Sequence, residues 1–514
     1  MSDSRIKNSK RNLLKELLYK IVSLLLPFST RTVIIYVLGV LYLGLNSLYG
    51  SILTILSLAE LGFGAAMVFS MYEPIAKKDD LEVCALLNLY RKIYRILGGA
   101  ILCIGLIFMF FLPYIIKDEV PQDVNVYVLY LIFLTNTCLS YFLFAYKESL
   151  LIATQRSDIR SNVHTIFSLV TNVCQLVALW FTRNYYAYCL LIPIFTIAQN
   201  LTINYITSKR YPQFKCKGVI VAEKIVDIKK RVGGLFIYKI CYVFRDTIDS
   251  VVISAFLGLA VLGKFNNYFY IVTTITGFLT IIKTSMSASV GNSMVLETEK
   301  KNHHDFQKFQ LLYMAISSWA TVCLFCLIQP FITLWAGKDY LFHSITLILF
   351  CALFYCYKMG DICAVYRQAA GLWWQDKHRP IVEAIVNLSL NLCLVKVFGV
   401  NGVIVSTIFC LVFINSIWAS YTLYKYYFKS FNQWLYIKRI FFYGSVTILI
   451  TAITGAVCYL ISDDTILGFV YRGLVCMVLP IPLIIISFHI LPEFKDAVEF
   501  LCKLLGKRNK LNIA

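Results

Sequence analysis

The segment LGVLYLG at residues 38–44 is matched by LGLAVLG at residues 257–263, at an offset of 219 residues. The same offset relates Tyr49 to Tyr268. It also relates a second block, in which Arg160, Asn172 and Cys174 correspond to Arg379, Asn391 and Cys393. Because both blocks share one register, we interpret the chain as two copies of one structural unit. Chance matching between hydrophobic segments is the alternative.

The composition places both copies in a lipid bilayer. The 514-residue chain is 59% hydrophobic, its mean hydropathy is +0.72, and it contains repeated apolar runs of about 20 residues or more, the length that spans a bilayer. Fourteen spans are predicted, at 17–43, 46–72, 88–114, 126–151, 161–181, 187–207, 233–257, 265–290, 309–335, 342–368, 381–397, 402–427, 438–461 and 467–490. The predicted fold is therefore an all-α integral membrane protein with about 14 transmembrane helices.

The repeat divides these spans into domains. We predict an N-terminal six-helix bundle at 1–207, a basic cytoplasmic linker at 208–232, a C-terminal six-helix bundle at 233–428, and an extra helix pair with a cytoplasmic tail at 429–514. Six spans are an even number, so both bundles enter the membrane from the same side and form a parallel repeat. Such duplicated bundles are typical of transporters, whose ligand lies between the repeats.

The positive charge is distributed unevenly between the two predicted sides of the membrane. The net charge is +20, and segments assigned to the cytoplasm carry 31 Lys and Arg residues against five in outward segments. Under the positive-inside rule, both termini face the cytoplasm. The linker 208–232 carries eight of these cations, which suits the anionic inner leaflet; a regulatory or partner-binding role is the alternative. Nucleic acid is not an expected partner.

Ionisable side chains inside predicted spans are costly and ordinarily face a cavity or the bundle interior. Arg31 lies in the first predicted helix and Arg245 in the seventh, the corresponding helix of the second copy. Guanidinium groups bind phosphate oxygens in two-point geometry, and Lys283 and Lys358 supply further positive charge. We therefore predict a cleft for an anionic cargo, with these four cations as its binding residues.

Internal ion pairing is the alternative interpretation of the same charges. Arg245 precedes Asp249 by four residues, and Lys358 precedes Asp361 by three. Both spacings place two side chains on one helix face. Lys or Arg near a helix end can also extend to the lipid headgroups.

Three carboxylates inside spans are candidates for coupling to a proton or sodium ion: Glu60, Asp246 and Asp249. A carboxylate in a low-dielectric cleft has a tunable pKa, which ion coupling requires. Structural pairing is the alternative. For Glu60 we favour a structural role, because it begins the glycine-containing run ELGFG at 60–64, where close helix packing is expected.

The sequence indicates neither a metal site nor a cofactor. The 17 cysteines are scattered through apolar segments, as expected of small buried hydrophobes. Cys323 and Cys326 form a CxxC pair inside a predicted span, but no neighbouring residue type suggests further ligands. The outward connectors are short, and the glycine-rich phosphate loop of ATPases does not occur. We therefore expect a protein that is not an enzyme.

Two blocks of the sequence resemble a known family. The first comprises RTVIIYVLG at 31–39, YLGLN at 42–46, LSLAELGFG at 56–64 and PIA at 74–76. The second comprises AAGLWW at 369–374, Arg379-Pro380, Glu383, Asn387-Leu388 and GVNG at 399–402. Both resemble bacterial Wzx-type polysaccharide flippases of the multidrug/oligosaccharidyl-lipid/polysaccharide exporter superfamily, except that Ser406-Thr407 stands where Gly-Thr is expected.

The resemblance implies two six-helix lobes, two added helices and a flippase of the bacterial inner membrane. The implied cargo is undecaprenyl-diphosphate-linked oligosaccharide, turned from the inner to the outer leaflet for O-antigen or capsule synthesis. Lipid II flippases of this superfamily are thought to use an Arg in the first helix and another in the eighth, whereas here the second, Arg245, is in the seventh. Candidate partners are membrane lipids, a glycan polymerase and a chain-length regulator.

Other functions remain open at this point. A cation-coupled multidrug exporter of the same superfamily would prefer an acidic cleft, which the basic bias of the spans disfavours. A membrane enzyme of glycan assembly would need larger outward loops. A non-transporting scaffold for glycan enzymes would tolerate neutral substitutions at every in-span charge.

Overall fold

The structure, a computed structural model, describes residues 22, 26–57, 63–116, 120–144, 146–154, 156–220, 241, 243–245, 247–372, 374–461 and 465–504. Within these ranges the chain is helical, with turns and irregular connections and no strand. It divides into two compact units, Met1–Gly263 and Lys264–Ala514. The predicted domain boundaries at 207, 232 and 428 stay predictions.

The helices of the first unit alternate with short connections. They are α1 (Leu26–Val37), α2 (Val40–Leu56), α3 (Phe63–Lys77), α4 (Asp80–Phe108), α5 (Leu112–Ile115), α6 (Val126–Phe142), α7 (Tyr146–Ala153), α8 (Ser157–Thr182), α9 (Tyr185–Arg210) and α10 (247–257). Within this unit α9 packs on α8 and α6, α6 packs on α4 and α2, and α7 packs on α3. Helix α11 (Leu259–Leu296) begins in the first unit and continues into the second.

The second unit is arranged around one long helix. Its helices are α12 (Glu299–Trp335), α13 (Ser344–Met359), α14 (Asp361–Ala369), α15 (His378–Phe398), α16 (Val400–Phe409), α17 (Ala419–Tyr426), α18 (Gln433–Tyr459), α19 (Ile466–Val478), α20 (Pro480–Phe488) and α21 (Phe494–Leu504). The segment Cys410–Trp418, which joins α16 to α17, is π-helical. Helix α12 contacts α13, α18, α19, α20 and α21, and α15 packs on α16. The C-terminal helices α18 to α21 therefore all pack on α12.

The repeated glycines mark equivalent breaks in the chain. Gly39 has φ +104° and separates α1 from α2, and Gly258 has φ +92° and separates α10 from α11. A positive φ is readily accessible to glycine, which has no Cβ. The predicted span 17–43 is therefore wrong at its C-terminal end, because the helix stops at Val37. The 219-residue offset correctly relates the two breaks.

The second repeated glycine of each copy allows two helices to cross closely. A Cβ atom added at Gly44 would lie 2.3 Å from the Leu259 carbonyl oxygen, and one added at Gly263 would lie 2.8 Å from the Val40 carbonyl oxygen. These two contacts are related by the same 219-residue offset, so α2 and the beginning of α11 pack with approximate two-fold symmetry. Small residues permit this approach between membrane helices.

The described residues contain ten helices that are long and apolar enough to span a membrane, or eleven if α6 and α7, bent by 50°, form one span. The predicted spans from 88 onward correspond to these helices, except for 233–257. That span and 17–43 and 46–72 run into residues outside the described ranges, so the count of fourteen is not confirmed. The chain is nevertheless a multi-pass, all-helical membrane protein.

Candidate functional site

A cavity of about 390 Å³ lies inside the first unit, between α1, α2, α8 and α9. Its volume is within the range of small-molecule sites. Arg31 is on its wall, as are polar side chains from three other helices. The described residues that line it are Leu26, Pro27, Thr30, Arg31, Ile34, Asn46, Phe167, Ser168, Thr171, Asn172, Gln175, Tyr188, Ile192, Phe195, Thr196 and Gln199.

Side-chain hydrogen bonds, both to backbone and to other side chains, hold the helices that carry this wall. The Asn172 amide of α8 donates to the Leu26 carbonyl at 3.2 Å and to the Thr30 hydroxyl, and Ser29 donates to the Asn172 amide oxygen at 3.2 Å. The Gln175 amide donates to the Tyr188 carbonyl of α9 at 3.2 Å. The position of Arg31 relative to α8 is therefore fixed by the turn of α1 that precedes it.

The described wall of the cavity carries one charged side chain and several uncharged polar ones. Among the described residues that line it, Arg31 is the one with a charged side chain, and the polar remainder consists of amides and hydroxyls. A guanidinium on such a wall can bind two oxygens of one phosphate. Amide and hydroxyl groups both donate and accept, as hydroxyl-rich ligands require. The cavity is therefore suited to an anion that carries polar, uncharged groups.

The two candidate lysines meet at one carboxylate in the second unit. The Lys283 ammonium lies 2.6 Å from one Asp361 oxygen, and the Lys358 ammonium lies 2.9 Å from the other. The Tyr313 hydroxyl donates to Asp361 at 2.6 Å. The alternative pairing of Lys358 with Asp361 is thus present in the structure. Two lysine side chains therefore share one carboxylate.

The remaining predicted site residues are buried or lie outside the described ranges. The exposed fraction is 2% for Arg245 and 7% for Asp249. Glu60 and Asp246 fall outside the described residues. Arg31 and the two lysines are therefore in different units, Arg31 on a cavity and the lysines around Asp361.

Sequence reasoning missed most of the cavity wall, although α8 carries a signal for it. Ser168, Thr171, Asn172 and Gln175 occupy positions i, i+3, i+4 and i+7 of a largely apolar segment. This spacing places all four on one helix face. A polar stripe inside a membrane span indicates a face turned away from lipid.

A buried charge network in the second unit was also missed. Asp376 pairs with Arg379 at 3.0 Å and with Arg367 at 3.2 Å, and Arg379 pairs with Glu383 at 3.0 Å. The Arg379 guanidinium also donates to Asn415 at 3.1 Å. Two cations and two carboxylates balance, so the network joins α14, α15 and the π-helical segment without excess charge. The DxxRxxxE spacing at 376–383 was its signal in the sequence.

Comparisons with known proteins show which solved structures share this fold. No family model matches the chain, and no curated protein matches it. Among solved structures, "Lipid II flippase MurJ, inward closed conformation" is 15% identical, with a TM-score of 0.66 over 93% of this chain and 98% of that one.

Multidrug transporters are similar over slightly less of the chain. An inward-facing "multidrug resistance MATE family transporter of the MOP superfamily" is 12% identical, with a TM-score of 0.59 over 78% of this chain and 93% of that one. A mutant of the Vibrio cholerae MATE transporter VcmN is 14% identical, with a TM-score of 0.53 over 85% and 100%. At these identities the likeness is one of architecture. The chain has the helical fold that the lipid II flippase and the MATE transporters share.

Proposed function

We propose that this protein is a polysaccharide flippase of the bacterial inner membrane. It turns undecaprenyl-diphosphate-linked oligosaccharide from the cytoplasmic to the outer leaflet by alternating access, for O-antigen or capsule synthesis. Both termini face the cytoplasm, and the prenyl tail stays in lipid while the headgroup enters the protein. A glycan polymerase and a chain-length regulator are candidate partners that receive the cargo.

The observation that carries this proposal is the cavity around Arg31. Its described lining includes one cation and no acidic side chain, together with nine uncharged polar residues contributed by all four helices. A diphosphate supplies the anion for the guanidinium, and sugar hydroxyls supply partners for the amides and hydroxyls. The likeness of the fold to a lipid II flippase is consistent with a lipid-linked cargo.

The same observation disfavours a cation-coupled multidrug exporter, the other candidate. The fold resembles MATE transporters as well, so architecture alone does not separate the two. A cationic drug entering this cavity would come close to the Arg31 guanidinium on the cavity wall. Like-charge repulsion in a low-dielectric site costs more than it does in water.

The other cations contribute to the proposed site in different ways. Arg245 is the predicted second contact to the diphosphate. Lys283 and Lys358 are held by Asp361 in this conformation, so a diphosphate must compete with Asp361 for their ammonium groups. That competition makes these lysines a conformation-dependent part of the site. Asp249, Asp246 and Glu60 remain candidates for ion coupling.

A strain lacking this gene, complemented with variants, tests the proposal. The deletion is expected to accumulate undecaprenyl-diphosphate-linked repeat units and lose surface glycan. The wild-type gene restores glycan, Arg31→Ala does not, and Arg31→Lys restores it in part, because a lysine keeps the charge without the two-point geometry. Arg183→Ala is the matched control, since it removes an exposed arginine from the end of α8.

The lipid-linked sugars are measured by mass spectrometry. The amount of surface glycan and the amount of protein in the membrane are measured alongside them. Normal glycan with Arg31→Ala present at wild-type abundance would remove Arg31 from the site. A deletion strain with normal glycan, no lipid-linked sugar and increased drug susceptibility would contradict the cargo and support multidrug export. Full activity after neutral substitution of every in-span cation would support a scaffold.

A further inference from the structure

Three cysteines from three helices converge inside the second unit. Cys326 lies on α12, Cys458 on α18 and Cys476 on α19, and their sulfur atoms all lie within 4.8 Å of one another. Their exposed fractions are 4%, 2% and 1%. The expectation that the CxxC pair has no neighbouring ligands is therefore wrong, because two come from residues more than a hundred positions away.

Cys323 extends the cluster by a fourth thiol. It precedes Cys326 by three residues on α12, so the two side chains occupy the same helix face. Its thiol lies 3.9 Å from the Cys476 carbonyl oxygen and interacts with the Cys476 thiol. The Cys476 carbonyl also accepts a hydrogen bond from the Trp319 indole at 2.9 Å, which fixes α19 against α12.

A buried arginine compensates negative charge at the cluster. Arg472 precedes Cys476 by four residues on α19 and is 9% exposed. It interacts electrostatically with Cys458 and Cys476. A buried negative charge is stable only when it is paired or binds a metal. Thiolate ligands in this place therefore have a cationic neighbour already in position.

We propose that Cys326, Cys458 and Cys476 bind a zinc ion as thiolates, while the Cys323 thiol stays protonated and donates to the Cys476 carbonyl oxygen. Sulfur atoms around a tetrahedral zinc ion are about 3.8 Å apart, given Zn–S bonds of about 2.3 Å. The observed separations therefore need to contract by about 1 Å at most. Binding releases one proton from each of the three thiols.

The charge balance favours zinc among thiol-binding cations. Three thiolates, one Zn²⁺ and the Arg472 guanidinium sum to zero, which limits the cost of burial in a membrane protein. A monovalent copper ion with the same three thiolates and Arg472 would leave one uncompensated negative charge. The ion would join α18 and α19 to α12, so its role is to hold these three helices together.

Metal analysis of the purified full-length protein tests the site directly. In detergent, after incubation with Zn²⁺ and removal of unbound metal, the wild-type protein is expected to retain one equivalent of zinc by plasma mass spectrometry. The variant C326S/C476S is expected to lose it. Cys351→Ser is the matched control, because it removes a buried cysteine of α13 outside the cluster, and it should retain the zinc.

Substitution with Co²⁺ reports the geometry. Tetrahedral thiolate ligation gives sulfur-to-cobalt charge-transfer bands in the wild-type protein and in Cys351→Ser, and none in the double variant. The proposal is overturned if the wild-type protein binds no zinc, if it binds copper in preference, or if the double variant retains the full equivalent. An intact mass that shows these cysteines joined in disulfides would also overturn it.

Discussion

Arg31 illustrates how far a single residue can be interpreted from sequence. Its position inside an apolar segment indicated a cation turned away from lipid, and in the structure it lies on a cavity wall. Its neighbours on that wall come from α8 and α9, far along the chain. Nothing in the local pattern around Arg31 specifies Gln175 or Gln199 as those neighbours, because helix packing brings them together.

Asp361 allows a prediction at the residue scale. Asp361→Asn should destabilise the protein by about 3–5 kcal/mol, because it leaves the buried Lys358 ammonium without its partner. The double variant D361N/K358M should recover part of that loss, since it also removes the buried charge. Thermal unfolding of the detergent-solubilised protein measures both.

Glu73→Gln is the control for the Asp361 variants, because it breaks the exposed pair of Glu73 with Lys77 and should change stability by less than about 1 kcal/mol. Equal melting temperatures for Asp361→Asn and the wild type would show that the Asp361 cluster contributes nothing to stability. In that case Lys283 and Lys358 would be freer to bind a cargo than this structure indicates.

At the scale of elements, the repeated glycines connect sequence to packing. Gly39 and Gly258 end helices with positive φ, and Gly44 and Gly263 let α2 and α11 cross. The repeat in the sequence was therefore sufficient to identify equivalent positions. The end of α1 was not predicted correctly, because apolar residues continue through the break at Gly39 and hydropathy does not detect a change in backbone direction. The predicted span 233–257 does end where α10 ends.

The crossing predicts different effects for two glycines of α2. Gly44→Ala should destabilise the protein by about 1–3 kcal/mol, because the new methyl group would overlap the backbone of Leu259 and force the helices apart. Gly50→Ala has nothing within 4 Å of the new atom and should be neutral or stabilising by up to about 1 kcal/mol. Thermal unfolding and the amount of folded protein in the membrane distinguish them.

Comparable losses for Gly44→Ala and Gly50→Ala would contradict the close crossing and point to a general intolerance of α2 to substitution. A selective loss at Gly44 should be accompanied by a similar loss for Gly263→Ala, its equivalent in the second copy.

At the scale of the whole molecule, the distribution of charge predicts orientation. With the linker 208–232 and both termini in the cytoplasm, alkaline phosphatase fused after residue 215 or at the C-terminus should be inactive, and green fluorescent protein at the same positions should fluoresce. After Arg183, in a predicted outward connector, fused alkaline phosphatase should be active and fused green fluorescent protein should not fluoresce. Active phosphatase at residue 215 would reverse the assigned topology.

The sequence by itself determined the helical class, the membrane environment, the equivalence of the breaks at Gly39 and Gly258, and the location of most helices from 88 onward. These properties follow from composition and from short-range spacing, which residues near each other in the chain express directly. The tertiary structure alone decided which polar groups meet: Arg31 with the polar face of α8, two lysines with Asp361, and Cys326 with two distant cysteines. Such contacts depend on how helices pack, and the physical reason is that a helix face is specified locally whereas its partner is not.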